Sequence, residues 1–418
     1  MRHIRTRLSL FVAALLVSAC GGGDPYVPGS GSPSGAPTTP GSFTSVVSFG
    51  DSLSDAGTYT PATSANGDGT PPYFGGKLTT NTFDAINNAI STSPIWVENV
   101  ASALGLVITP AEVGFAGQSV QCPAAANPAL AATCTAYGQA GSRITDPNGV
   151  RHTDPATGAL RALTVPVKTQ IANHLARFTS FKPSDLVLVW AGGNELFWQM
   201  ETDPRINPNS YVVRLAQIQA QAAAGAITLD QAKRLAFQAQ IDSQEAMKQA
   251  ALELSGYIRD EILAKGATFV AVLNLPDPAT TPEGAAATAL SPVIGAALTT
   301  FADTFNLWLR EGLTGQPVLW IDAKAIFAGV LADPAAYGFA NTTVPACDAQ
   351  KMALLTGGLV TDGFALFCNA TPGSMLNGLR DGADVDTWFF ADGNHPTTGG
   401  FRALSNEVLK QLKAFGWI

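Results

Sequence analysis

Leu186-Val187-Leu188-Val189-Trp190, followed at once by Ala191-Gly192-Gly193-Asn194, is the stretch that decides the architecture of this 418-residue chain. Five consecutive apolar residues stopped by glycines fit a strand buried on both faces, as in a parallel sheet covered by helices on either side. The same punctuation recurs outward from it. Phe43 to Phe49 is a second buried strand, ending at Gly50, and Thr268–Leu273 and Val318–Ile321 are two more. Helical spacing marks Pro94–Leu104, Val165–Phe178, two Ala/Gln-rich stretches at Ser210–Ala224 and Leu229–Ala264, and Thr397–Phe415. Pro292–Leu313 is also helical, with Ser291 at the N-cap and Pro292 at the first helical position. Strands alternating with helices predict an α/β domain with a mostly parallel sheet, which binds ligands beyond the C-terminal ends of its strands. Glu112–Ala136 reads as irregular and Asp333–Asp384 as a loop-rich insertion; no internal repeat is found.

Composition narrows the function classes. The chain is 46% apolar and 13% charged, with a formal net charge of −8. That is a globular balance, opposite to that of disordered chains. No Lys/Arg-rich stripe occurs, so nucleic-acid binding has no electrostatic footing.

The first residues read as a targeting segment. Arg2, Arg5 and Arg7 precede an apolar run from Leu8 to Val17, too short for the ~20 residues that span a bilayer. It leads into Val17-Ser18-Ala19-Cys20-Gly21, which resembles a bacterial lipobox. That resemblance implies removal of residues 1–19, acylation of Cys20 and a lipid-anchored place in the cell envelope; the alternative is an ordinary secretory signal with a chance cysteine. Gly21 to Ser42, rich in Gly, Pro, Ser and Thr, then reads as a flexible tether with an r.m.s. reach of roughly 25 Å. The folded part is expected from residue 43 to residue 418. Four cysteines remain, Cys122, Cys134, Cys347 and Cys368, and an even number in an exported chain predicts two disulfides. Of the three possible pairings, local closure favours Cys122–Cys134 and Cys347–Cys368. No Cys-x-x-Cys or His-Glu-x-x-His pattern supports a metal site, and no cofactor is expected.

Three short segments carry the chemistry. Gly50-Asp51-Ser52-Leu53 follows a buried strand, where a hydroxyl reaches solvent but needs a base to act as a nucleophile. By itself, Gly-Asp-Ser also serves as an ordinary turn or helix cap. Gly192-Gly193-Asn194 ends the strand quoted first, and its amide can donate to a developing oxyanion. Asp392-Gly393-Asn394-His395-Pro396-Thr397 sets an acid three residues before a histidine, a spacing that orients one ring nitrogen and frees the other. Of the other histidines, His3 lies in the signal, His152 in a polar turn, and His174 within a helical stretch in a surface or packed role. Gly-x-Ser-x-Gly does not occur.

In this order and at these separations, the three motifs resemble the GDSL, or SGNH, family of esterases and lipases, from about Phe43 to the C-terminus. The resemblance implies a flavodoxin-like three-layer α/β/α fold. It implies Ser52 as nucleophile, His395 as base and Asp392 as the group that orients it. It also implies an oxyanion hole made by the Ser52 N–H, Asn194 and a glycine. The family's Asn-Tyr-Ala-x-Gly-Gly-Ala segment corresponds to Ala136-Tyr137-Gly138-Gln139-Ala140-Gly141-Ser142, which makes Gly141 the donor, with Gly138 the alternative. Ala136 and Ala140 depart from that pattern, as does Glu195, where the family has Asp. The implied partner is an ester or lipid substrate. Acyltransferases, phospholipases and carbohydrate O-deacetylases share the same constellation, and a binding lipoprotein with a degenerate site is the rival outside catalysis. Oligomeric state is not readable from the sequence. Tyr59, Phe197, Trp198, Trp388, Phe389 and Phe390 flank the motifs and either line a pocket or pack in the core, the latter being the commoner fate of such residues.

Overall fold

A computed structural model describes residues 40–84 and 91–418 of the protein. The expected signal segment, Cys20 and most of the expected tether lie outside the described residues. The strands are β1 (Ser45–Gly50), β2 (Thr109–Pro110), β3 (Glu112–Phe115), β4 (Gln118–Gln121), β5 (Cys134–Ala136), β6 (Asp185–Trp190), β7 (Phe269–Leu273) and β8 (Leu319–Ile321). Six of them form one sheet in the order β2-β5-β1-β6-β7-β8, and every pairing in it is parallel. β3 and β4 form a separate antiparallel hairpin.

Alternation along the strands explains the layering. Val47 and Phe49 of β1, Val187 and Val189 of β6, and Val270 and Val272 of β7 point into one core. Val46, Leu186, Leu188, Trp190, Ala271 and Leu273 point into the other. Successive side chains of a strand face opposite sides, so a continuous apolar run fills two cores at once. The first core is covered by α2 (Val167–Phe178), α5 (Leu229–Tyr257) and α7 (Pro292–Gly312); the second by α1 (Trp96–Ala103), α8 (Ala323–Ala332) and α10 (Thr398–Ala414). The result is an α/β protein whose parallel sheet is flanked by helices on both faces, consistent with a flavodoxin-like three-layer sandwich.

Several sequence expectations need correcting. The stretch 112–136 is not irregular throughout: it holds the β3–β4 hairpin and β5, which enters the main sheet beside β1. β5 has only three residues and no apolar run, too short a segment for periodicity to show. The long helix from Leu229 ends regular α-geometry at Tyr257 and continues as a π-turn over Ile258–Ile262. Ser291 stands at the N-cap of α7, but its side chain makes no capping bond; it also closes α6 (Pro282–Leu290). The insertion after Asp333 contains the short helix α9 (Ala349–Leu355). Remaining helices are α3 (Gly193–Gln199) and α4 (Tyr211–Ala223), the latter packed against α5.

Both favoured disulfides are formed, Cys122–Cys134 and Cys347–Cys368. They suit an oxidising compartment. Among the described residues no helix is long and apolar enough to cross a membrane.

Candidate active site

The chain runs from β1 to β2 and β5 on one side of the sheet and then to β6, β7 and β8 on the other. The loops after β1, β5 and β6 therefore diverge around a crevice at the C-terminal edge. β1 and β6 are in register up to Gly50 opposite Trp190, which sets Ser52 and Asn194 at similar heights above the sheet.

At the first loop the chain demands a glycine. A Cβ on Gly50 would stand 2.1 Å from the carbonyl oxygen of Trp190. Gln170, buried in α2, clamps this residue from both sides: the Gly50 N–H donates to Oε1 at 3.0 Å, and Nε2 donates to the Gly50 carbonyl at 2.8 Å. Asp51, also buried, accepts from the N–H of Leu53 at 3.2 Å, and its Oδ2 packs against Gly193, so one carboxylate bridges the turns after β1 and β6. Ser52 starts a 3-10 turn through Ser54 and is half-buried. Among the described residues neither its hydroxyl nor its N–H has a hydrogen-bond partner within the protein.

The loop after β5 closes onto this turn. Asp55 accepts from the N–H groups of Gly57 (2.9 Å), Thr58 (2.7 Å) and Ala140 (2.8 Å). A Cβ on Gly138 would press to 2.7 Å on the Ser54 carbonyl, so Gly138 packs behind the serine turn. Gly141 has φ +82 and takes the Val150 N–H on its carbonyl at 2.9 Å; its own N–H meets no acceptor among the described residues. Asn194, in the first turn of α3, donates from Nδ2 to the carbonyl of Ser142 at 2.9 Å. That bond fixes the amide one residue from Gly141 and leaves its second N–H available. Glu195 holds the same loop by accepting from the Ile144 N–H at 2.7 Å and from Arg143 Nε at 2.6 Å. Its longer side chain thus serves to anchor the glycine loop.

Asp392 and His395 form the other half. The Nδ1 of His395 lies 2.9 Å from each carboxylate oxygen of Asp392. Asp392 also accepts N–H bonds from His395 (2.8 Å), Asn394 (2.9 Å) and Ala365 (2.9 Å). Burial opposes its ionisation, but the imidazole and these donors outweigh burial and hold the carboxyl down at about 2. Burial likewise opposes the charged form of His395, yet the charge and hydrogen bond of Asp392, aided by Asp51 and Glu283, raise its pKa above the ordinary value. Asp51 is pushed up to about 6 by burial, against the Leu53 N–H, the His395 charge and the Gly193 N–H. Asp51, the neighbour of Ser52, and His395 thus lie within Coulombic reach of each other. No hydrogen bond joins Ser52 Oγ to the ring among the described residues, as is common before substrate binds. Glu283 of α6 accepts from the Asn394 amide and steadies the loop from outside.

Direct contacts therefore join Asn194 to the Gly141 loop and His395 to Asp392, while Asp51, next to Ser52, is related to His395 through its charge alone. Tyr59, Phe389 and Phe390 are buried core residues, while Phe197, Trp198 and Trp388 are half-buried. His174 is packed in the core. Gln170, Asp55 and the Ala365 N–H were not singled out in the sequence. Their bonds span 120, 85 and 27 residues, and no local pattern signals such partners. Among the described residues no group of three or more potential metal ligands occurs.

Among known families and curated proteins, none matches this chain.

Proposed function

We propose that the protein is a serine carboxylic-ester hydrolase of the GDSL/SGNH type. The observation that carries this reading is the His395–Asp392 pair; a strand-end serine and two loops whose N–H donors are unoccupied support it. With Asp392 ionised, Nδ1 holds the hydrogen and Nε2 keeps a lone pair to accept the Ser52 proton. Ser52 Oγ attacks the ester carbonyl, and His395 returns the proton to the leaving alkoxide, giving an acyl-enzyme. Water, deprotonated by His395, then releases the acid and restores the serine. The N–H groups of Ser52 and Gly141 and the amide of Asn194 are the donors for the tetrahedral oxyanion, each worth ~10²–10³ in turnover. Export with a diacylglyceryl group on Cys20 belongs to the same reading; it rests on the residues before Cys20 and is checked by mass spectrometry of the mature N-terminus.

A fluorophosphonate probe and a p-nitrophenyl ester test the chemistry. The wild type should label at Ser52 and turn over. Ser52→Ala should fold with an unchanged Tm, fail to label, and lose at least ~10³ in kcat. Ordinary turnover by Ser52→Ala would overturn the proposal.

A further inference from the structure

We propose that Phe364, held by a clasp between Arg151 and Asp362, is the wall that sets which alcohol portion an ester can carry into the site. This rests on the esterase reading above. Two segments from opposite sides of the crevice meet here. One, residues 143–165, follows the Gly141 turn; the other, residues 356–370, lies in the insertion. The Arg151 guanidinium sits 4.0 Å over the Phe364 ring, and its Nη2 donates to Asp362 Oδ2 at 2.8 Å. Phe364 in turn stands edge-on to the His395 imidazole, with centroids 6.0 Å apart.

The neighbours of the clasp tie it to the reacting groups. Val150, next to Arg151, donates to the Gly141 carbonyl at 2.9 Å. Ala365, next to Phe364, donates to Asp392 at 2.9 Å. Arg151 adopts φ +64, a conformation that non-glycine residues take rarely and chiefly where tertiary contacts impose it.

Reaction geometry assigns the wall to one half of the substrate. Collapse of the tetrahedral intermediate requires the leaving oxygen to lie within reach of the proton on His395. The alcohol portion therefore occupies the His395 side, against Phe364, while the acyl chain departs in another direction. The side chains of Arg151 and Asp362 are 54% and 53% exposed, so their bond is weak and readily opened. A clasp of that kind grades alcohols by bulk without excluding large ones outright.

The test holds the acyl group constant and varies the alcohol: kcat/KM for glyceryl tributyrate relative to methyl butyrate. Arg151→Ala and Asp362→Asn should each raise this ratio roughly three- to tenfold, the range of an exposed ion pair together with a cation–π contact. The double variant should gain no more than Arg151→Ala alone, which already removes both the ion pair and the contact with Phe364. Ionic strength of ~1 M, where the screening length is ~3 Å, should shift the wild-type ratio the same way and leave Arg151→Ala unmoved. The ratio for p-nitrophenyl octanoate against p-nitrophenyl acetate, which varies only the acyl chain, should stay constant throughout. An unmoved alcohol ratio in both single variants, or an acyl ratio that moves with it, overturns the clasp. Fluorophosphonate labelling separates the two levels: a wild type that labels and hydrolyses with unmoved ratios refutes only the clasp, whereas one that does neither refutes the esterase reading beneath it.

Discussion

Asp392 receives three backbone N–H bonds and an imidazole, and this concentration of donors links the pH dependence of the protein to single residues. His395 titrates above its ordinary value of 6.5, so kcat/KM should climb with pH along an acid limb centred above that value. Asp51, raised to about 6, gains a charge that favours the imidazolium and so acts on the same limb. Asp392→Asn removes the charge that sustains the imidazolium and favours the wrong tautomer. It should lower the plateau by ~10²–10⁴ and move the limb toward lower pH, as read from a kcat/KM profile. For stability the sign is also set. The folded pKa of Asp392, about 2, lies below the ordinary 3.8, so its contribution is present above pH 3.8 and is lost as the pH falls toward 2.

Among the elements, the two disulfides look alike in sequence and differ in consequence. Each closes a short loop, of 12 and 21 residues in separation, and each removal should cost on the order of 3 kcal/mol in chain entropy. Cys122–Cys134 staples the hairpin region to β5, at the start of a strand and away from the site. Cys347–Cys368 lies directly beneath Asp392: the Cys347 N–H donates to the Ala391 carbonyl at 2.9 Å, and the Cys368 N–H donates to the Ala365 carbonyl at 3.0 Å. The bridge thus holds the segment whose Ala365 N–H reaches the carboxylate. Paired Cys→Ala variants should lose comparable stability in thermal unfolding. Only the Cys347/Cys368 pair should also lose roughly tenfold in kcat/KM, measured well below either Tm, through the weakened bond to a charged acceptor. Equal activity in the two variants would show that the insertion does not support the acid.

At the scale of the whole molecule, acid sensitivity has a source in the hydrophobic core. His174 on α2 is 2% exposed and stacks on Phe181 with ring centroids 4.4 Å apart. Neither of its ring nitrogens has a hydrogen-bond partner among the described residues. Burial pushes it down to about 4, below the ordinary 6.5 of the unfolded chain. The unfolded state therefore binds the proton more readily, and stability is full above pH 6.5 and declines as the pH falls toward 4. The difference amounts to roughly 3 kcal/mol. Denaturant unfolding at pH 7 and pH 4.5 should show this loss in the wild type and a smaller one in His174→Leu. What the residues determined by themselves is the part encoded in local pattern. The double-faced runs at 45–50, 185–190 and 269–273 dictate a covered parallel sheet, and Asp392 lies three residues before His395, close enough to pair with its ring locally. The disulfide pairing followed from short loop closure in the same way. Other features were decided only once the chain closed on itself: the entry of three-residue β5 beside β1, the Gln170 clamp on Gly50, the Ala365 bond to Asp392 and the meeting of Arg151 with Phe364. Each joins groups remote in sequence through one or two directional contacts, and such contacts leave no periodicity along the chain to be read.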